Sequence, residues 1–144
     1  TRSNFAPGIG YYSSFYSPYN STMIKEYHYN DIMAISYNKD GMREWNAIVP
    51  KEQYSQEDGG VFSSYLLLNS GGSLAFLFND FNSRHSRIQL ATLAPDGKLS
   101  QNSFTAEGND YPDWLPRAGK QVAARVLIVP CLHKRQICFA KVVF

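Results

Sequence analysis

Residues 31–41, DIMAISYNKDG, and residues 87–97, RIQLATLAPDG, align without a gap at a spacing of 56 residues and end on the same Asp-Gly pair. Each starts with β-branched and aliphatic residues that suit a pleated surface, then closes on a glycine that takes positive φ at little cost. That is the signature of a first strand and its turn. The second strands follow directly, Met42 to Val49 (MREWNAIV) after the turn Asn38 to Gly41, and Lys98 to Thr105 (KLSQNSFT) after the turn Ala94 to Gly97. One hairpin is thus written twice, and an internal repeat of this length points to a chain assembled from like units.

On either side of these two units lie further hairpins. Val61 to Leu68 (VFSSYLLL) and Ser73 to Asp80 (SLAFLFND) flank Asn69-Ser70-Gly71-Gly72, and Arg87 to Leu93 supplies the first strand of the second copy. Gln121 to Val129 and Arg135 to Phe144 read as two long strands around a turn at Pro130 to Lys134. Their runs Val126 to Val129 and Phe139 to Val142 faintly echo Tyr65 to Leu68 and Phe76 to Phe78. Lys51 to Gly60 and Ala106 to Gly119 read as polar loops. No segment shows a capped helical period, since the best candidate, Gln121 to Val129, ends in Val, Leu and Ile and runs into Pro130. The expected fold is all-β, with antiparallel hairpins over residues 23–144 forming one domain.

The first 22 residues mix Gly, Pro, Ser, Asn and Tyr without a period and read as an irregular Tyr-rich arm. An opening Thr in place of Met leads us to expect a processed product or a piece of a longer chain. At 144 residues, 44% hydrophobic and 18% charged, the chain has the apolar surface that disordered chains lack. It contains no apolar run near the ~20 residues that cross a bilayer and no secretory leader at its amino end, so a soluble protein without a membrane span is expected.

Charge is unevenly placed. All 12 acidic residues lie in positions 1–113, whereas residues 114–144 carry Arg117, Lys120, Arg125, Lys134, Arg135 and Lys141 and no acid. These cations are spread along alternating strands and not interleaved with base-stacking aromatics, so solvated strand faces are expected and no nucleic acid is inferred. Cys131 and Cys138 flank a turn and stand where a hairpin pairs them, which leaves a disulfide and two buried thiols as equal readings. The disulfide reading favours an oxidising compartment.

The Ile32…Asp40-Gly41…Trp45 pattern, and Ile88…Asp96-Gly97 without the Trp, resemble the strand and turn units of β-propeller blades. The closing segment Val126 to Pro130 with its basic turn and last apolar strand looks like the carboxyl end of uncharacterised exported repeat proteins of Bacteroidota-type bacteria. The resemblance covers residues 29–144 and implies a propeller-like arrangement outside the cytoplasm, in the periplasm, at the outer membrane or secreted. It carries no activity over. Eight expected strands make about two blades, whereas a closed propeller has at least ~4. Either further sequence, another chain, or a fold-back into a sandwich or barrel must deal with the open sheets.

Several chemistries are weighed on particular residues. Ser36 to Trp45 fails the Asp-box pattern of sialidase-like propellers by one residue in register, and Asn79 to Ser83 lacks the glycine and distal glutamate of a calcium loop. Cys131, His133 and Cys138 give three soft ligands where structural zinc takes four, so no metal and no cofactor is expected. His28, His85 and His133 have no nucleophile signature nearby, and Glu57, Asp58, Asp110 and Asp113 sit in loops that hold carboxylates as a matter of course. An enzyme is therefore not the expected reading. The 10 Tyr, 9 Phe and 2 Trp point instead to contact surfaces. The expected binding residues are Tyr11, Tyr12, Phe15, Tyr16 and Tyr19 of the arm with Tyr111 and Trp114 of the second loop, meeting a protein partner or a missing part of the chain. The alternative is a glycan-binding module in which Tyr111, Trp114 and Tyr54 stack on sugar rings.

Overall fold

Apolar residues placed consecutively, and not alternately, demand cover on both sides of a strand, and Ser73–Asp80 (SLAFLFND) is where this chain does so. In the computed structural model, which describes residues 2–7, 21–81, 87–104 and 112–143, this strand lies at the centre of the molecule with Ala75 to Asn79 all buried. The described residues form strands β1 (Arg2–Pro7), β2 (Ser21–His28), β3 (Ile32–Tyr37), β4 (Arg43–Val49), β5 (Tyr54–Gln56), β6 (Leu66–Ser70), β7 (Ser73–Asp80), β8 (Arg87–Leu93), β9 (Leu99–Phe104), β10 (Asp113–Trp114), β11 (Lys120–Ala123), β12 (Val126–His133) and β13 (Gln136–Val143). One 3-10 turn, Pro116–Ala118, stands between β10 and β11. The fold is all-β and antiparallel, and among the described residues no barrel or ring closes.

Three sheets stack face to face. The middle one is a four-stranded meander, β6-β7-β8-β9, in which Leu77 pairs with Leu66 and Leu90 and Phe76 with Leu67 and Ala91. On one side, Phe76, Phe78, Ala91 and Leu93 pack against Ile32 and Val49 of the β3-β4 hairpin. On the other, Leu68, Ala75, Leu77, Ile88 and Leu90 pack against Leu127 and Val129 of β12, with Trp114 and Val142 at the margin. Each fully buried aliphatic side chain here contributes roughly 1.5–3 kcal/mol. A further small sheet has the order β1-β2-β5, and just beyond it the Tyr29 amide donates to the Gln53 carbonyl at 3.0 Å. Its β1 falls within the stretch expected to be an irregular arm, of which residues 8–20 lie outside the described residues.

The two Asp-Gly turns have the same backbone. The Asn38 amide donates to the Met42 carbonyl at 2.9 Å and Gly41 to Asn38 at 3.0 Å, while Ala94 donates to Lys98 and Gly97 to Ala94, both at 2.9 Å. Gly41 and Gly97 sit at φ 77° and 82°, the left-handed region in which a side chain is strained. One residue separates the hairpins: Ser36 pairs with Trp45 but Tyr37 with Arg43, so β4 bulges at Glu44. The bulge keeps Trp45 on the inward side with Ala47 and Val49. From there its indole N–H donates to the Pro95 carbonyl at 2.9 Å, and a Cβ on Gly97 would stand 2.9 Å from its ring. The first turn's tryptophan thus sits on the second turn.

Elsewhere the expected boundaries move. Gln121 to Val129 is not one strand, since the chain folds back at Ala124 and Arg125 so that β11 pairs with β12, Gln121 opposite Leu127. The expected turn Pro130 to Lys134 is mostly strand, and the reversal falls at Lys134-Arg135, both at positive φ. Pro130 is tolerated inside β12 because its carbonyl accepts from Leu115, where β10 ends, and no ladder N–H is required on that side. The strand expected to open at Val61 opens at Leu66, and the loop Lys51 to Gly60 contains β5, paired to β2. The eight expected strands are thirteen among the described residues.

Candidate functional site

Stacking three sheets covers four of their six faces and leaves two outer ones. Alternation fixes which residues those are. In β3, Ile32, Ala34 and Ser36 face the middle sheet, so Met33, Ile35 and Tyr37 face away, with Ile48 opposite Met33 on β4. In β13, Cys138, Ala140 and Val142 face inward and Ile137, Phe139, Lys141 and Val143 face out, paired with Leu132, Pro130, Ile128 and Val126. Both outer faces are mostly apolar, with Lys141 among the outward residues of β13 and Asn46 opposite Ile35 on β4. Met33 is 66% exposed, Ile137 71% and Phe139 69%, on strands whose inward residues are buried or half-buried. Single exposed apolar residues need no explanation, but contiguous patches mark a surface that meets something.

Polar chemistry gathers at one end of the stack, where β4 leaves and β7 ends. Gln53, which is fully buried, donates from Nε2 to the Asn79 carbonyl at 2.7 Å and accepts at Oε1 from Lys51 Nζ (2.9 Å) and the Ser64 amide (2.7 Å). Asn79 in turn donates from Nδ2 to the carbonyls of Phe62 and Trp114, at 2.7 and 2.9 Å. These two amide side chains tie together the long connection after β4 and the ends of β7 and β10, which share no strand ladder. Lys51 Nζ also donates to the Tyr29 carbonyl at 2.5 Å, and its amide to Asp31 Oδ1 at 3.0 Å. Burial lowers the Lys51 ammonium to about 8, against the opposing pull of Asp31. A cleft of ≈ 300 Å³ opens beside it, lined by Asp31, Glu52, Asp80 and Gln89 among others.

A second cleft, ≈ 320 Å³, brings Asp58 and Asp113 of the expected carboxylates together with Tyr54, Phe62 and Phe81. Asp58 holds a turn, accepting from Ser55 Oγ at 2.8 Å and the Gly60 amide at 2.7 Å. Glu57 accepts from the Lys25 amide, which makes it a brace between β5's loop and β2. Asp110 lies outside the described residues. Tyr54 donates its hydroxyl to Glu26 Oε1 at 3.0 Å and lies 4.9 Å from the His28 ring. Desolvation first, and then the Glu26 bond, hold its phenol above its ordinary value against the opposing Gln56 bond.

Of the expected binding residues, Trp114 is half-buried and packs on the core beside Leu127 and Val129. Tyr11, Tyr12, Phe15, Tyr16, Tyr19 and Tyr111 lie outside the described residues. Cys131 and Cys138 are a disulfide joining paired positions of β12 and β13, Cα atoms 4.9 Å apart. That uses both thiolates of the three-ligand set with His133, and among the described residues no group of His, Cys, Asp and Glu is placed to hold a metal ion. No helix among them is long and apolar enough to cross a membrane. Sequence reading missed Lys51 and Gln53 because they sit in a stretch that looks like solvated loop, and weighed Asn79 only as part of a calcium loop, not as a buried amide. Open sheets were expected from the strand count, but not which residues form the outer faces, because alternation distinguishes two faces without saying which is covered. Comparison with protein-family models, curated proteins and solved structures returns no match.

Proposed function

We propose that this chain is a non-catalytic binding and scaffolding part of a larger protein assembly of the bacterial cell envelope, acting through protein–protein contacts. The observation that carries this reading is the pair of apolar outer faces on the sheet stack. Leaving them in water forgoes the burial that stabilises every inner face of the same molecule, and protein cover restores it. The propeller-like arrangement belongs to the same proposal: face-stacked antiparallel sheets, a four-stranded meander in the middle, and two matching Asp-Gly turns locked by Trp45 support it. The disulfide supports an extracytoplasmic setting, since such bonds persist in oxidising compartments. The bacterial origin rests on the resemblance of the closing segment alone.

The test is to replace Ile137 and Phe139 together by Ser and isolate the chain with whatever protein accompanies it natively. Loss of the companion with an unchanged far-UV circular dichroism spectrum is the expected outcome. Retention of the companion by the doubly substituted chain, and by a chain carrying Met33→Ser and Ile48→Ser, would remove the outer faces as the contact. The glycan-binding reading finds one specific support, the cleft that places Tyr54 beside Asp58 and Asp113. An aromatic face next to acceptors suits a sugar ring, and Tyr54→Ala should then abolish retention on a polysaccharide column.

A further inference from the structure

Three strands, one from each sheet, present isoleucine in the same direction. Ile32 of β3 faces the middle sheet and Ile88 of β8 faces the β12-β13 sheet; β13 matches β8 by position in its sheet, and not β7 as its faint sequence echo suggested, so that QICFAKV aligned on RIQLATL puts Ile137 where β8 has Ile88 and Phe139 where it has Leu90. Cys138, Ala140 and Val142 then fall on Gln89, Ala91 and Leu93, and both sets face back toward the preceding sheet. The stack is therefore polar: each sheet lays a forward face on the back face of the next. That contact occurs twice within the molecule. Ile32 and Ile88 are each 7% exposed because a back face covers them, whereas Ile137, in the third equivalent position, is 71% exposed.

The other end shows the complementary half. Met33, Ile35 and Tyr37 occupy the back-face positions that Gln89, Ala91 and Leu93 hold in β8. Ala91 and Leu93 are fully buried under β3 and β4, and their counterparts Ile35 and Tyr37 are uncovered. Among the described residues, one end of the stack is an exposed forward face, on which Lys141 stands beside Phe139, and the other an exposed back face. Building on the proposed role in protein contacts, we infer that the occupant of each is a second copy of this chain, joined head to tail, the forward face of β12-β13 seating on the back face of β3-β4. It continues the contact the molecule already makes internally. Such an interface is heterologous, so successive copies close into a ring if the rotation per copy permits and extend as a filament otherwise.

The experiment uses single-face variants of the whole chain. Sedimentation of the unaltered protein at rising concentration should show mass increasing beyond a dimer. Phe139→Lys blocks only the forward face and Ile35→Lys only the back face, so each alone should weaken self-association by more than ~10-fold. Mixed in equal amounts, the two variants should form a one-to-one dimer that grows no further, because each retains the face the other lacks. Ile137→Lys and Met33→Lys repeat the pair should either first variant lose its thermal transition. A protein that stays monomeric throughout, or a single variant that still dimerises through its remaining face, overturns the head-to-tail contact. If a monomeric protein nevertheless loses a different companion on Phe139→Lys, this inference falls while the proposed scaffolding role stands; if no association depends on either face, both fall.

Discussion

The middle sheet, β6 to β9, and the sheets beside it are made from the same residue types, yet one is covered on both faces and the others on one. Leu77 and Phe78 of β7 are sealed, whereas Ile137 and Phe139 of β13 stand in water. The difference lies in the neighbours and not in the strands. An apolar side chain on a pleated surface is a demand for cover, and this molecule meets that demand on both faces of a sheet only where layers lie on either side of it.

The largest expected effect tests that contrast directly. Leu77→Ala should cost about 2–5 kcal/mol in chemical denaturation, since it leaves a cavity between two packed sheets. Ile137→Ala, measured in dilute solution, should stay within about 0.5 kcal/mol. Equal costs would mean that the outer face is covered within the monomer, and the contrast would be lost. A smaller effect sharpens the comparison of the two turns. Gly41 and Gly97 share a positive φ, but a Cβ at Gly41 meets open space while one at Gly97 meets the Trp45 ring. Gly41→Ala should therefore cost about 1 kcal/mol and Gly97→Ala about 2 or more, read as urea midpoints. A reversed order would remove Trp45 as the lock between the sheets.

The smallest effect concerns the polar end and its pH dependence. Lys51 titrates at about 8 in the fold, below its ordinary value of 10.5. Below the lower value both states carry the proton, so the desolvation cost is constant. Between the two, the folded chain releases the proton while the unfolded chain keeps it, and stability rises with pH. Lys51→Met should flatten that rise without abolishing folding, as followed by denaturant midpoints across this window. An unchanged slope would place the titrating lysine elsewhere.

Legibility in the sequence followed the range of the interaction. The strand Arg87–Leu93 and both Asp-Gly turns were readable because strand propensity and glycine's positive φ are local. The disulfide was legible only as one of two readings, because pairing Cys131 with Cys138 needs the register of β12 on β13. The expected pairing is the one found, although the turn lies at Lys134-Arg135, a pair without glycine, and not over Pro130 to Lys134. Gln53 and Asn79 were illegible for a different reason: a buried amide is distinguished from a solvated one only by the carbonyls it meets, here Asn79, Phe62 and Trp114, which lie 17 to 35 residues away.

What the amino-acid order settled is therefore the alternation of each ribbon and the place of its glycine turns, because both depend on φ, ψ and the side chain's own shape. Which face of each ribbon is dry was decided by the stacking of three sheets, because burial is a property of whatever lies within a few ångströms, wherever it comes from along the chain. Hence the same isoleucine position is core in β3 and β8 and surface in β13.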